Sequence, residues 1–218
     1  MAFRVICISR AVAAEGESIG VAVAQRLGFR YVDDQIITRA AQQAQVDPKL
    51  VEAAEHRRPL LERVLDKLAM AQELAGPMTL ATGLPVDAFT SGSSEQRVTP
   101  EDIQPLIRAA IHEVAKAGQL VIVAHAASMA LAGTEGVLRV LVTASPETRA
   151  KRLAAAQGIS EAEATAAVAV SDRERRDYFK RFYKIKEELP THYDIVLNTD
   201  ALTVAQATEA VLSAAQSA

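Results

Sequence analysis

The chain has 218 residues, half of them apolar, which is enough for one α/β domain with a proper core. A formal net charge of −3 gives no support to a general nucleic-acid-binding role, and a single cysteine, Cys7, excludes a disulfide framework within the chain. There is no signal-peptide pattern and no run of about 18 apolar residues, so a soluble, cytoplasmic protein without a membrane partner is expected.

In chain order, residues 4–9 (R-V-I-C-I-S) read as a short buried strand in which Cys7 is a small hydrophobe. A tight loop leads to an apolar-periodic helix over 19–27, ended by Gly28, and residues 29–32 give a second strand with Asp33 and Asp34 at its carboxyl end. Residues 35–44 read as helical. Asp47-Pro48 supplies an N-cap and a first-turn proline for a helix to Leu74, with Leu50, Ala54, Leu61, Val64, Leu65 and Leu68 at near-helical spacing and Pro59 dividing or kinking it. Residues 76–98 hold Gly-Pro, Gly-Leu-Pro and Ser-Gly-Ser-Ser, which read as a long flexible loop. Thr99-Pro100-Glu101-Asp102 opens a helix to about Ala117, stopped by Gly118.

Residues 120–123 and 137–142 are apolar runs of the kind found in parallel strands covered on both faces. Ser145-Pro146-Glu147 caps a helix to Gln157, and Ser160 with Glu163 forms a capping box for a long helix towards Phe182. Residues 194–197 form a fifth strand, and Thr203 opens a last amphipathic helix. This alternation predicts one α/β domain over 1–218: a five-stranded, doubly wound parallel sheet in an α/β/α arrangement, with a helical insertion over 45–100. Ligands belong at the carboxyl ends of its strands.

The first strand, loop and helix have the layout in which backbone amides and a helix N-terminus hold a phosphate. A full phosphate loop, G-x-x-x-x-G-K-[ST], adds glycines for close approach, a lysine for the β/γ-phosphates and a hydroxyl for Mg²⁺. Here Arg10-Ala11-Val12-Ala13-Ala14-Glu15-Gly16-Glu17-Ser18 has one glycine, no lysine and two glutamates. Arg10 is the only cation, and Ser18 can reach a metal. One carboxylate at 4 Å from a phosphate charge costs on the order of 4 kcal/mol at an effective dielectric of about 20. A loop that merely joins strand to helix fits the same residues. Between Asp172 and Lys186 there are seven Lys or Arg and three Asp or Glu, with Arg173, Arg175, Arg176, Lys180 and Arg181 on one helix. Helical spacing brings several of these onto a common face, as a phosphate clamp or as a solvated surface. The histidines and scattered carboxylates show no metal-ligand spacing.

Several segments together resemble the cytidylate kinases, above all the divergent cytidylate kinase-like branch of the P-loop nucleotide kinases. Val142 to Arg152 (V-T-A-S-P-E-T-R-A-K-R) is similar to the family's L-T-A-S-P-E-x-R-A-x-R, and Gly158 to Ala164 to its G-I-S-E-E-E-A. Ser171-Asp172-Arg173-Glu174-Arg175 and Tyr178 to Tyr183 resemble the branch's D-R-E-R and Y-x-R-R-F-Y lid, and Tyr193 to Thr199 its last strand. Tyr31 to Ala40 resembles the monophosphate-site segment Y-x-D-x-x-x-x-x-R-A.

The resemblance implies a P-loop kinase fold with a lid near 160–190, ATP and Mg²⁺ as cofactors if the protein is active, and a nucleotide or phosphorylated small molecule as ligand. By the same resemblance Arg10, Gly16 and Ser18 would hold ATP, with Ser18 at the metal. Asp33 and Arg39 would hold the acceptor, and Arg173 with Arg175 would clamp the phosphates in transfer. The branch's loop, S-R-x-x-G-S-G-G-x-x-I-G, keeps Ser9, Arg10, Gly16, Ile19 and Gly20 here, while Ala13 and Glu15 stand at two glycine positions. His125, in Ala124-His125-Ala126, stands where the branch carries G-R-G, and Val123 where cytidylate kinases proper have an aspartate. A histidine is shorter than arginine and mostly neutral at pH 7, so it is a weaker phosphate group. Two functions stay open: transfer of the ATP γ-phosphoryl group to a nucleoside monophosphate, or a catalytically inactive sensor or scaffold. The amphipathic 47–74 insertion would offer the second a partner or homodimer contact.

Overall fold

One central strand organises the sheet. The structure, a computed structural model, describes residues 3–33, 100–123 and 127–216. β1 (Val5–Arg10) lies at the centre of a five-stranded sheet because it pairs in parallel with both β3 (Leu120–Ile122) and β4 (Val137–Thr143). β2 (Arg30–Val32) flanks β3 and β5 (Ile195–Asn198) flanks β4, so the order is β2-β3-β1-β4-β5, all parallel. Each strand falls within one residue of its expected span.

The period-two pleat of β1 sorts the core into two layers. Val5 and Cys7 face α2 (Pro100–Lys116) and the short α3 (Ala127–Ala130), where Ile107, Ala110, Ile111 and Val114 are buried. Ile6 and Ile8 face the other way, against α1 (Gly16–Leu27) and α6 (Val204–Gln216) through Ile19, Val23, Val211 and Leu212. Each fully buried aliphatic side chain here contributes about 1.5–3 kcal/mol. Two further helices, α4 (Pro146–Gln157) and α5 (Glu161–Tyr183), pack on each other through Leu153 and Val168 together with Ala150, Ala164 and Ala167, whose small side chains allow close approach. Both begin as their sequences require. Ser145 accepts the Thr148 amide, and Ser160 and Glu163 cap each other reciprocally.

Two local features differ from the sequence expectation. Helix α1 starts at Gly16, three residues before the apolar period begins, because Gly16, Glu17 and Ser18 already follow the helical path. The four-residue α3 had no periodic signal, being short and wholly buried. Among the described residues, no helix is long and apolar enough to cross a membrane. The segments expected over 35–44, 47–74 and 76–98 lie outside the described residues, as do Asp34, Arg39 and His125 and the insertion face expected to form a homodimer.

Candidate functional site

The loop between β1 and α1 is folded without its glycines. Ala13 has φ 56° and Glu15 φ 65°, both left-handed, at the two positions where the resembled pattern carries glycine. A side chain in that region costs roughly 1–2 kcal/mol per residue, so the surrounding structure must impose the shape. It does so through the loop's carbonyls. Arg152 of α4 reaches the Ala13 carbonyl at 3.4 Å and grips Thr199 at both its hydroxyl (2.9 Å) and its carbonyl (2.7 Å). The Thr199 hydroxyl lies 3.2 Å from the Ala14 carbonyl. At the loop's start the Ala11 amide donates to the Val142 carbonyl of β4 at 3.1 Å. The carbonyls are thus held from outside, while the amides of Gly16, Glu17 and Ser18 make no hydrogen bond within the described residues. Unpaired amides at a helix N-terminus, beside the carboxyl end of the central strand, form a place for an anion.

Of the two carboxylates around those amides, Glu17 is paired with a cation and Glu15 with a neutral hydroxyl. The Arg10 side chain folds across Gly16, where a Cβ would come within 2.5 Å of the Arg10 Cβ, so only glycine fits. Its Nε donates to the Glu17 carboxylate. The Ser18 hydroxyl donates to Glu15 Oε2 at 3.0 Å. Arg10, Gly16 and Ser18 therefore lie together at the loop, each beside an acid. Aligned on Gly16, Glu17 occupies the lysine position of the full phosphate-loop pattern and Ser18 its hydroxyl position. Among the described residues, no group of three or more His, Cys, Asp or Glu could hold a metal ion. The paired oxygens of Ser18 and Glu15 nevertheless match the hard ligands that Mg²⁺ prefers.

The lid segment separates into distinct roles. Asp172 accepts a two-pronged bond from Arg149 of α4, at 2.8 and 2.6 Å, and Arg149 Nε also donates to the Ala144 carbonyl. Arg149 is buried, so this pair pins α5 to the N-terminus of α4. Residues i and i+2 of a helix do not share a face, and Arg173 and Arg175 diverge accordingly. Arg173 is exposed, with Arg176 and Lys180 at i+3 and i+7, and has no ion-pair partner among the described residues. Arg175 turns inward on the buried face with Ser171 and Phe179. It meets the Glu188 carboxylate at 2.7 and 2.6 Å, the Arg10 carbonyl at 2.9 Å and the Ser9 hydroxyl at 2.7 Å. Burial works against its charge, but the Glu188 carboxylate outweighs this and holds the Arg175 pKa above its ordinary value. The Tyr193 hydroxyl donates to Glu188, and burial first, then the Glu188 charge, pushes its pKa up.

Asp33 stands half-buried after β2, with an interaction partner, and Arg39 and His125 lie outside the described residues. Sequence reasoning missed the roles of Arg149, Arg152 and Thr199, although all three lie in segments that carried the resemblance. Glu188 left no signal at all: one acid in a mixed-charge stretch has no distinguishing pattern.

No curated protein sequence matches the chain. Solved structures match over nearly its whole length. An uncharacterized protein from Eubacterium ventriosum has a TM-score of 0.64 at 16% identity, covering 98% of this chain and 99% of its own. Shikimate kinase from Bacteroides thetaiotaomicron gives 0.51 at 15% identity, covering 98% of both chains. A gluconokinase from Sinorhizobium meliloti gives 0.50 at 13% identity, covering 99% of this chain and 93% of its own. Identities this low speak for the fold alone, which is that of the P-loop kinases. The sequence profile of the cytidylate kinase-like family matches residues 5–201, nearly the entire chain. With the strand order and the loop geometry already described, that match settles the assignment: the chain belongs to the cytidylate kinase-like family.

Proposed function

We propose that this protein binds a nucleotide by its phosphates at the β1–α1 loop and transfers the ATP γ-phosphoryl group to a small acceptor of the nucleoside monophosphate class. One observation carries the reading. Two non-glycine residues, Ala13 and Glu15, are held left-handed where the chain turns from β1 into α1, and the first-turn amides of Gly16, Glu17 and Ser18 have no partner among the described residues. Strain kept at that position points to use of the shape. Phosphoryl transfer of this kind depends mainly on positioning and charge neutralisation, with little covalent work for the protein. In this reading the amides and Ser18 hold the ATP phosphates, with Arg10 turning from Glu17 towards them. Mg²⁺, held by the Ser18 hydroxyl with Glu15 beside it, supplies neutralising charge when bound. Arg39, Asp33 and His125 would take the acceptor, and Arg173, exposed and without an ion-pair partner among the described residues, would meet the charge in flight.

A second reading is favoured by a different observation. Arg10 is already paired with Glu17 and Arg175 with Glu188, so two of the cations expected to meet phosphate are committed to protein carboxylates. That suits a non-catalytic nucleotide sensor. Calorimetric titration with ATP, ADP, CMP and dCMP, with and without Mg²⁺, followed by a transfer assay over nucleoside monophosphates, separates the two. Mg²⁺-dependent ATP binding with turnover lost in Arg10→Ala and Arg173→Ala supports the kinase. Binding without turnover supports the sensor, and no binding by any of the four rejects both.

A further inference from the structure

Beneath the loop, on the sheet face opposite α1, side chains from three separate stretches of chain close on one another. The pleat of β1 puts Ser9 on the side of Val5 and Cys7, and there it meets Arg175 from α5 and Tyr193 from just before β5. Its hydroxyl lies 2.7 Å from Arg175 Nη2 and 3.1 Å from the Tyr193 hydroxyl. Glu188 closes the ring, taking both prongs of Arg175 and the Tyr193 hydroxyl. The Phe179 ring covers the guanidinium, 4.8 Å from Cζ to centroid. The charged partners keep only 17% and 16% of their side-chain exposure, unlike a surface pair such as Arg26–Glu209 at 59% and 60%.

One further contact makes this cluster more than an ion pair. Arg175 Nη1 donates at 2.9 Å to the carbonyl of Arg10, the last residue of β1 before the chain leaves the sheet. That bond fixes the direction in which the loop departs. With Nε and Nη2 on Glu188, Nη2 on Ser9 and Nη1 on the backbone, four of the guanidinium's contacts are already made, against five N–H donors in total. We infer that Arg175, Glu188 and Tyr193 form a latch from the lid helix and the segment before β5 onto the start of the phosphate loop, so that Arg175 is a positioning residue for the loop and not a phosphate ligand. The effect on the loop stands by itself. The effect on nucleotide affinity rests on the proposed function.

The opposite assignment has Glu188 merely parking an arginine that swings to the phosphates, and it predicts the reverse sign for one variant. The test uses the full chain and the variants Arg175→Ala, Arg175→Lys, Glu188→Gln and Tyr193→Phe, with native-state hydrogen exchange of the 9–18 segment, α6 as internal reference, and ATP calorimetry. A latch predicts exchange over 9–18 about tenfold or more faster in Arg175→Ala and Glu188→Gln, as expected for losing charged hydrogen bonds. It predicts a smaller rise in Tyr193→Phe and no change in α6. The Arg175→Ala, Glu188→Gln double variant should be no faster than Arg175→Ala alone, since both remove one unit. Lysine should not rescue, because an ammonium cannot reproduce the fork. ATP binding should weaken in Glu188→Gln as it does in Arg175→Ala. Unchanged exchange over 9–18 in the variants that fold, or tighter ATP binding in Glu188→Gln, overturns the latch. If the wild type binds no ATP, the proposed function falls while the exchange result still decides the latch. If Arg175→Ala gives no cooperative melt, Glu188→Gln and Tyr193→Phe decide it.

Discussion

Replacing Glu17 by lysine is the sharpest perturbation of the proposed phosphate site, because it reverses the charge at the lysine position of the loop without altering the backbone. In the structure the Glu17 carboxylate pairs with Arg10 across Gly16 and keeps 49% of its side-chain exposure. Two unit charges 4 Å apart interact by about 1 kcal/mol in water and about 4 kcal/mol at an effective dielectric near 20. Half-exposure places Glu17 towards the lower figure. Glu17→Gln removes one unit of repulsion and releases Arg10, for about 1 kcal/mol, or about fivefold tighter ATP binding. Glu17→Lys changes the local charge by two units, for about 2 kcal/mol, or about thirtyfold, less whatever the new ammonium loses by repelling Arg10. Calorimetric titration of ATP into wild type and both variants, in one buffer at fixed salt, reads the series directly. The expected order is Glu17→Lys tighter than Glu17→Gln tighter than wild type. If both variants stay within about twofold of wild type, Glu17 does not face the phosphates and the loop assignment is wrong.

Three other perturbations test the fold that carries the site. Ser160→Ala removes the capping box at the start of α5, where Ser160 Oγ accepts the Glu163 amide and Glu163 accepts the Ser160 amide at 2.8 Å; scanning calorimetry should show Tm lowered by about 2–4 °C, and an unchanged Tm would mean packing alone holds that end. Asp194 binds Arg139 through both side-chain oxygens and accepts the Arg139 amide. Its burial alone would raise its pKa, but the Arg139 bonds outweigh this and hold it below the ordinary carboxylate value. A depressed pKa contributes stability above the unfolded value of about 4 that is lost as pH falls through the folded one. The stability gap between wild type and Asp194→Asn, measured by urea melts, should therefore be full at pH 6 and shrink below about pH 4; a gap that does not change with pH refutes the assignment. Cys7 is fully buried in β1, and burial pushes its thiol up to about 12. At pH 8 it should resist alkylation except through global unfolding, so that labelling followed by mass spectrometry accelerates with urea, and rapid labelling of the native protein would contradict the central position of β1.

The fold was legible because its signals are local and repeated. The apolar run 120–123, rich in β-branched residues, fits a strand covered on both faces, and Ser145-Pro146 and Ser160-x-x-Glu163 mark helix starts by their own hydrogen-bonding chemistry. The start of α1 was less legible, since the helix begins in Gly16-Glu17-Ser18, where no apolar period exists to announce it. The site was legible in position but not in wiring. Arg10, Gly16 and Ser18 do meet, yet nothing in the sequence shows that Arg10 reaches for Glu17, or that Arg175 turns away from Arg173 towards a glutamate thirteen residues on. Pairings of that kind depend on which helix face is buried, and the crowding of basic residues over 173–181 obscures the difference.

The wiring also explains how a loop can lose its glycines and keep its shape. A glycine-rich loop adopts left-handed conformations without steric cost, whereas Ala13 and Glu15 need outside restraint. That restraint comes from Arg152 with Thr199 at the Ala13 and Ala14 carbonyls, and from Arg175 at the Arg10 carbonyl. Arg149 with Asp172 keeps the two contributing helices, α4 and α5, in register. These residues belong to the segments that made the chain recognisable: V-T-A-S-P-E-T-R-A-K-R, D-R-E-R, and the strand ending at Thr199. The frame therefore outlasts the loop's own consensus, because each frame residue acts on a backbone carbonyl or on another frame residue and none needs a particular side chain at 13 or 15. What such a frame leaves free to vary is the charge on the loop itself, which here is carried by Glu15 and Glu17 beside Arg10.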